Sequence, residues 1–218
     1  QWAAVFEQLL AKAAGVDQVL YVQVTRGAPP VRDHRFPDDV PPTVLAMAKV
    51  LKPRDPVIAE FGVAAIVRDD IRWSRCDIKS ISLLAAVLLR EEAEQADAEE
   101  ALLVRDGHVV EGSTSNLFIC RAGRIVTPPK GTMLLPGVTR DLVLDLVRGA
   151  GLPADERAIA AEELAAADEV WITSSTREVV PVTRVDGVPI GDGTPGPLWR
   201  QVDRLYQDCK ADLRGYRV

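Results

Sequence analysis

Three short turn signals constrain what this chain can fold into. Asp106-Gly107, Ala122-Gly123 and Asp186-Gly187 each lie between runs of β-type residues. Such pairs accept the left-handed backbone that closes a tight hairpin. Hairpins join antiparallel strands, which counts against a doubly wound fold of βαβ units. Helical periodicity fills the rest of the chain. It predicts a helix from Trp2 to about Ala14, stopping at Gly15. It predicts another over 81–95 with Leu83, Leu84, Val87 and Leu88 on one face. A third covers 139–149 and buries Leu142, Val143, Leu146 and Val147, and a fourth covers 197–213. Further strands are expected at 18–25, 43–50, 62–68, 169–173 and 179–185. Helices and hairpins alternating in this way predict an α+β fold with a mixed sheet. The prolines of KPRDP bar regular structure and mark a linker at 53–57. The turn-rich stretch 27–42 reads as a long loop.

Composition removes several classes. Lys+Arg number 26 and Asp+Glu 32, a net charge of −6, with no basic footprint for a nucleic acid. No apolar run approaches the ~20 residues of a membrane helix, so no membrane partner is expected. Cys76, Cys120 and Cys209 are too scattered for a disulfide framework or a zinc site, which points to a reducing cytoplasm. His34 and His108 are the only histidines, and no metal is expected.

Several short segments carry chemistry. Lys79, in RCDIKSIS ahead of an apolar helix, suits a partly desolvated amine that forms a Schiff base. Glu111 ends an apolar strand and opens EGSTSN, where a carboxylate meets three hydroxyls and an amide. LLPGVTRD, 134–141, enters a helix with Thr139 as its N-cap, and helix N-termini bind phosphates. ITSSTRE, 172–178, adds hydroxyls after a strand. In RDH, Arg32 and His34 fall on one side of an extended run and could clamp a carboxylate. The ordinary readings are a surface lysine, a bonded turn, a plain cap and a solvated loop. The residues alone leave both sets open. GDGTPG at 191–196 matches a dinucleotide pattern but lacks the strand and helix that the pattern needs.

Taken together, YVQVTRG (21–27), RDH, DDIRWSRCDIKS (69–80), EGSTSN, MLLPGVTRD (133–141) and ITSSTREVVPV (172–182) resemble the class IV aminotransferases, pyridoxal-phosphate enzymes of fold type IV. Within them the R-x-H pair is similar to that of D-amino-acid aminotransferases. The resemblance implies transamination between D-amino acids and 2-oxo acids with pyridoxal 5′-phosphate. Lys79 would form the Schiff base and move the proton. Glu111 would hold the pyridine nitrogen, and Leu135 would pack on the ring. Val138, Thr139, Ser174 and Ser175 would take the phosphate, and Arg32 and His34 the substrate carboxylate. Arg72 would stand behind these groups. The resemblance further implies a cytoplasmic homodimer. It makes 1–52 the C-terminal part of a small α/β domain whose first strands lie upstream of Gln1, and 58–218 a large cofactor-binding domain. A branched-chain aminotransferase, an aminodeoxychorismate lyase or an inactive truncated homologue are the competing readings.

Overall fold

The computed structural model describes residues 2–215; Gln1 and 216–218, at the outer ends of the two expected domains, lie outside the described residues. The chain divides into two units, Gln1–Pro53 and Arg54–Val218. In the first, α1 (Trp2–Leu10) runs into a 3-10 turn, Ala11–Ala13. The Gln18 amide closes this helical end by donating to Leu10 O and Ala13 O, both at 2.9 Å. Strands β1 (Gln18–Val24) and β2 (Val44–Val50) pair antiparallel from Gln18↔Val50 to Val24↔Val44. Arg32 and His34 lie exposed in the connection between them. The run is not extended there. The Asp33 carboxylate accepts from the N–H groups of His34 (2.6 Å) and Arg35 (3.3 Å) and bends the chain.

The second unit opens with α2 (Pro56–Phe61), where the sequence suggested only linker. Pro56 stands in the first helical turn, where its missing N–H costs nothing, and Asp55 caps it by accepting from Val57 N at 2.9 Å. A 10-stranded sheet follows. Its strands are β3 (Val63–Asp69), β4 (Glu100–Arg105), β5 (His108–Gly112), β6 (Asn116–Arg121), β7 (Arg124–Thr127), β8 (Ala154–Glu156), β9 (Ile159–Ala160), β10 (Glu169–Ser174), β11 (Glu178–Val185) and β12 (Val188–Pro189). The order is β8-β7-β6-β10-β11-β3-β4-β5-β9, with β12 paired to β11. β11–β3, β3–β4 and β7–β8 are parallel and the other pairs antiparallel, a mixed sheet. The three turn signals close β4–β5, β6–β7 and β11–β12, with Asp106, Ala122 and Asp186 at positive φ.

One connection dictates the shape of the sheet. β10, β11, β3 and β4 stand between β6 and β5 in the order. A flat sheet would hold those two strands about 24 Å apart at ~4.8 Å per step. Only residues 113–115 join them, and four Cα steps span at most about 14 Å. The sheet therefore curls until β5 meets β6. The Gly112 N–H closes the seam on Ser115 O at 2.7 Å.

Side chains alternate across the curled strands. Leu117, Ile119, Val170, Ile172 and Val180 fill the inside with Leu102 and Val109. Phe118, Cys120, Trp171 and Val179 face outward, under α4 (Val138–Gly149) and α6 (Pro197–Gly215). Two sequence expectations change here. The 81–95 helix begins at Leu84, as α3 (Leu84–Gln95), and its leucine stripe is not the buried one. Leu84, Val87 and Leu88 are 74%, 59% and 50% exposed. Leu89 and Ala93 pack instead on Ile66, Ala101 and Leu103, with Ala86 also buried, because small side chains let a helix approach a sheet closely. In α4 the buried residues include Val143, Leu144 and Val147, while Leu142 and Leu146 are only partly covered.

Candidate active site

A cavity of about 880 Å³ opens in the large unit over the β5–β6 seam. Lys79, Glu111, Asn116, Leu135, Val138, Thr139, Ser174 and Ser175 all line it. Arg72 lines it too, so eight of the ten residues given a role in the sequence share one cavity. Arg32 and His34 belong to the other unit.

Glu111 is its electrostatic centre. It stands opposite Leu103 on β4 and is buried. The Arg72 guanidinium donates to Oε1, the Asn116 amide to Oε2 at 3.0 Å, and Leu135 N to Oε2 at 3.1 Å. Asn116 also donates to Leu135 O at 2.8 Å, so the loop bearing Leu135 is tied to both strands of the seam. Burial pushes the Glu111 carboxyl up to about 7 and outweighs Arg72, while the Asp70 charge adds to the rise.

Arg72 is itself held. Asp70, fully enclosed, accepts from Arg72 Nε at 2.9 Å and Nη2 at 3.0 Å, and pairs with Arg105 Nη2 at 3.0 Å. Burial opposes both charges, but their pairing wins: the Asp70 pKa falls and the Arg72 pKa rises. Arg105 Nη2 also donates to Arg72 O at 2.8 Å. Arg105, Asp70, Arg72 and Glu111 therefore form a hydrogen-bonded line of alternating basic and acidic groups that fixes the start of the segment carrying Lys79. Cys76 N adds a tie to Thr132 O at 2.7 Å. Lys79 itself is exposed on the cavity wall, where the sequence suggested a partly desolvated amine. This unit by itself leaves the amine open to water.

At the other end lies the N-terminus of α4. Its cap is Gly137, without a side-chain bond, and Thr139 is not the cap that the sequence suggested. The first N–H groups of a helix have no acceptor within it, so those of Val138 and Thr139 face the cavity end with partial positive charge. Gly137 is required by close approach, since a Cβ there would lie 2.0 Å from Asn116 Oδ1. Ser174 Oγ and Thr173 Oγ1 are buried without a hydrogen-bond partner. Orphaned buried hydroxyls beside a free helix N-terminus suit a ligand anion. By contrast, the helix after GDGTPG is already capped, because the Glu169 carboxylate accepts from Leu198 N (2.9 Å) and Trp199 N (2.7 Å).

The serines and threonine of EGSTSN serve a different carboxylate from the one expected. Ser113, Thr114 and Ser115 all donate to Glu100, not to a ligand. Sequence reasoning missed Asp70, Arg105, Glu100 and Thr173. The only local sign was the repeated acid of DDIR, because the partners lie far away in the chain.

Curled mixed sheet, lysine segment, buried carboxylate and helix N-terminus agree with what known proteins add. The Amino-transferase class IV family model matches residues 1–185. The D-alanine aminotransferase of Bacillus licheniformis is 46% identical over 193 residues, 88% of this chain and 67% of that protein. That of Listeria monocytogenes is 39% identical over 188 residues, 86% of this chain and 65% of that protein. The chain thus spans about two thirds of the length of these relatives. Among solved structures, a branched-chain aminotransferase of Thermoproteus uzoniensis superposes with a TM-score of 0.81 at 27% identity, over 94% of this chain and 68% of that one. The chain belongs to the class IV aminotransferase family, whose members are pyridoxal-phosphate-dependent.

Proposed function

We propose that this protein passes amino groups between D-amino acids and 2-oxo acids, with Lys79 as its catalytic residue. The single observation that carries this is the cavity bearing an amine, a clamped buried carboxylate, an orphaned hydroxyl and a helix N-terminus. Pyridoxal 5′-phosphate, when bound, supplies an aldehyde carbon and a ring that accepts electrons from the substrate Cα. The residues present fit its two ends. Glu111 takes the ring nitrogen and keeps its proton in place. Leu135 covers a ring face. The N–H groups of Val138 and Thr139, with the Thr139, Ser174 and Ser175 hydroxyls, take the phosphate. Lys79 Nζ would hold the aldehyde end and would move the proton at the substrate Cα. Arg32 and His34 take the substrate α-carboxylate.

The preference for D-substrates is favoured by relatives at 46% and 39% identity that are named D-alanine aminotransferases. Branched-chain transamination is the second reading, favoured by the structural neighbour at 27%. D-alanine and L-leucine, each with 2-oxoglutarate, separate them, and turnover of L-leucine alone would sink the first. No helix among the described residues is long and apolar enough to cross a membrane. We place the enzyme in the cytoplasm as a homodimer, with the exposed α3 face as support for the second copy. Borohydride should fix the cofactor to wild-type protein and leave Lys79→Ala colourless. A stable adduct in Lys79→Ala would remove Lys79 from its role.

A further inference from the structure

Behind the cavity lies an ion pair that the proposed chemistry does not use. Glu100, the first residue of β4, is 0% exposed. Its carboxylate accepts from Ser113 Oγ, from Thr114 Oγ1 and Ser115 Oγ at 2.8 Å, from Ala101 N at 3.1 Å and from Arg177 Nη2 at 2.7 Å. Arg177 Nη2 also donates to Thr114 Oγ1 at 2.9 Å, and Nη1 to Glu99 Oε1 at 3.2 Å. Arg90 Nη2 donates to the same Glu99 oxygen at 3.2 Å.

The two partners reach opposite ends of the site. Gly112–Ser115 is the whole connection between Glu111 and Asn116. Arg177 lies in the β10–β11 turn, which also bears Ser175 and directly follows Ser174. The hydroxyl loop cannot drift on its own. A Cβ on Gly112 would lie 2.3 Å from Ser115 Oγ and 3.0 Å from the Glu100 side chain, so the backbone is already seated against both. A buried carboxylate with five donors is costly to build and over-determined in position.

We infer that Glu100 and Arg177 are positioning residues that set the distance between the Glu111–Asn116 end of the cavity and the Ser174–Ser175 turn. That distance is matched to a ligand gripped at a ring nitrogen and at a phosphate. The inference rests on the cofactor placement proposed above. It explains why the three hydroxyls of this loop, whose residues line the cavity, all donate to Glu100, and why the turn after Ser175 carries a guanidinium.

The test compares dissociation constants for pyridoxal 5′-phosphate and for pyridoxal, which lacks the phosphate and is gripped at the ring end only. Arg177→Met should weaken the phosphorylated ligand about tenfold or more, the scale of lost charged hydrogen bonds, and change pyridoxal far less. Arg177→Lys, which keeps the ion pair, should recover part of the loss. Glu100→Gln with Arg177→Met balances the charge without restoring the link, and should stay weak. Thr114→Val removes the shared hydroxyl with both charges kept, and serves if Arg177→Met does not fold; it should shift the same ratio by a smaller factor. Equal losses for the two ligands would overturn the inference, and so would full recovery in the double variant. Wild-type protein that forms no borohydride-fixed adduct at Lys79 would remove the cofactor placement itself. An adduct with an unmoved ligand ratio removes only the positioning role.

Discussion

Glu111 shows how one residue can be buried, acidic and useful. Its carboxyl holds its proton up to about 7 instead of the ordinary 4.5, because burial and the Asp70 charge outweigh Arg72 and the Leu135 N–H. A carboxyl that binds its proton more tightly when folded favours the folded state only while protonated. That contribution is complete below pH 4.5 and is lost as the pH rises through about 7. In cofactor-free protein, the Tm of wild type minus that of Glu111→Gln should therefore fall across this window. A flat difference would mean that Glu111 is ionised throughout. Arg72→Met leaves Glu111 without its guanidinium and Asp70 without its closest partner. Its kcat should drop by about 10²-fold, the usual scale for losing one preorganised electrostatic partner, measured at saturating substrate and cofactor.

At the scale of an element, helix ends do most of the positioning. α4 presents free N–H groups because Gly137 cannot cap it with a side chain, and Gly137 is needed where Asn116 presses against it. Gly137→Ala should push Asn116 off Glu111 and Leu135 O. We expect cofactor affinity to fall about tenfold with little change in far-ultraviolet circular dichroism, since only one charged hydrogen bond is lost. The end of α6 is built the opposite way. Glu169 occupies it, and a Cβ on Gly196 would lie 2.1 Å from that carboxyl. The same feature, a helix N-terminus after a glycine-rich turn, is thus left open to the cavity in one helix and filled by a structural cap in the other. Sequence reads both alike; the neighbouring strand separates them.

For the whole molecule the exposed stripe of α3 matters most. Leu84, Val87 and Leu88 continue the apolar wall of the cavity out onto the surface, where single exposed leucines are common but a row of them marks an interface. If a second copy covers it, Leu84→Asp with Leu88→Asp should halve the mass seen by sedimentation at micromolar concentration. Dimers that persist in this variant would place the interface elsewhere. The carboxylate swap is the more informative because Ala86, Leu89 and Ala93, which hold the helix to the sheet, are untouched.

Much of this protein was legible in the order of its residues. The hairpin turns, most strands and the long helices all depend on local rules: period 2, period 3.6 and the left-handed turns of Asp-Gly and Ala-Gly. Local rules end where a choice needs a partner. Two apolar stripes on α3 compete, and only the sheet beneath it selects the alanine side. Pro56 looked like linker until Asp55 folded back to cap it. Arg72 meets Glu111 across 39 residues and Arg177 meets Glu100 across 77, contacts that no window of sequence contains. Sequence by itself determined most of the elements and singled out the groups that the cavity brings together. The tertiary structure decided which carboxylate the hydroxyls serve and which face stays bare, because a three-residue connection curls the sheet and brings β5 to β6.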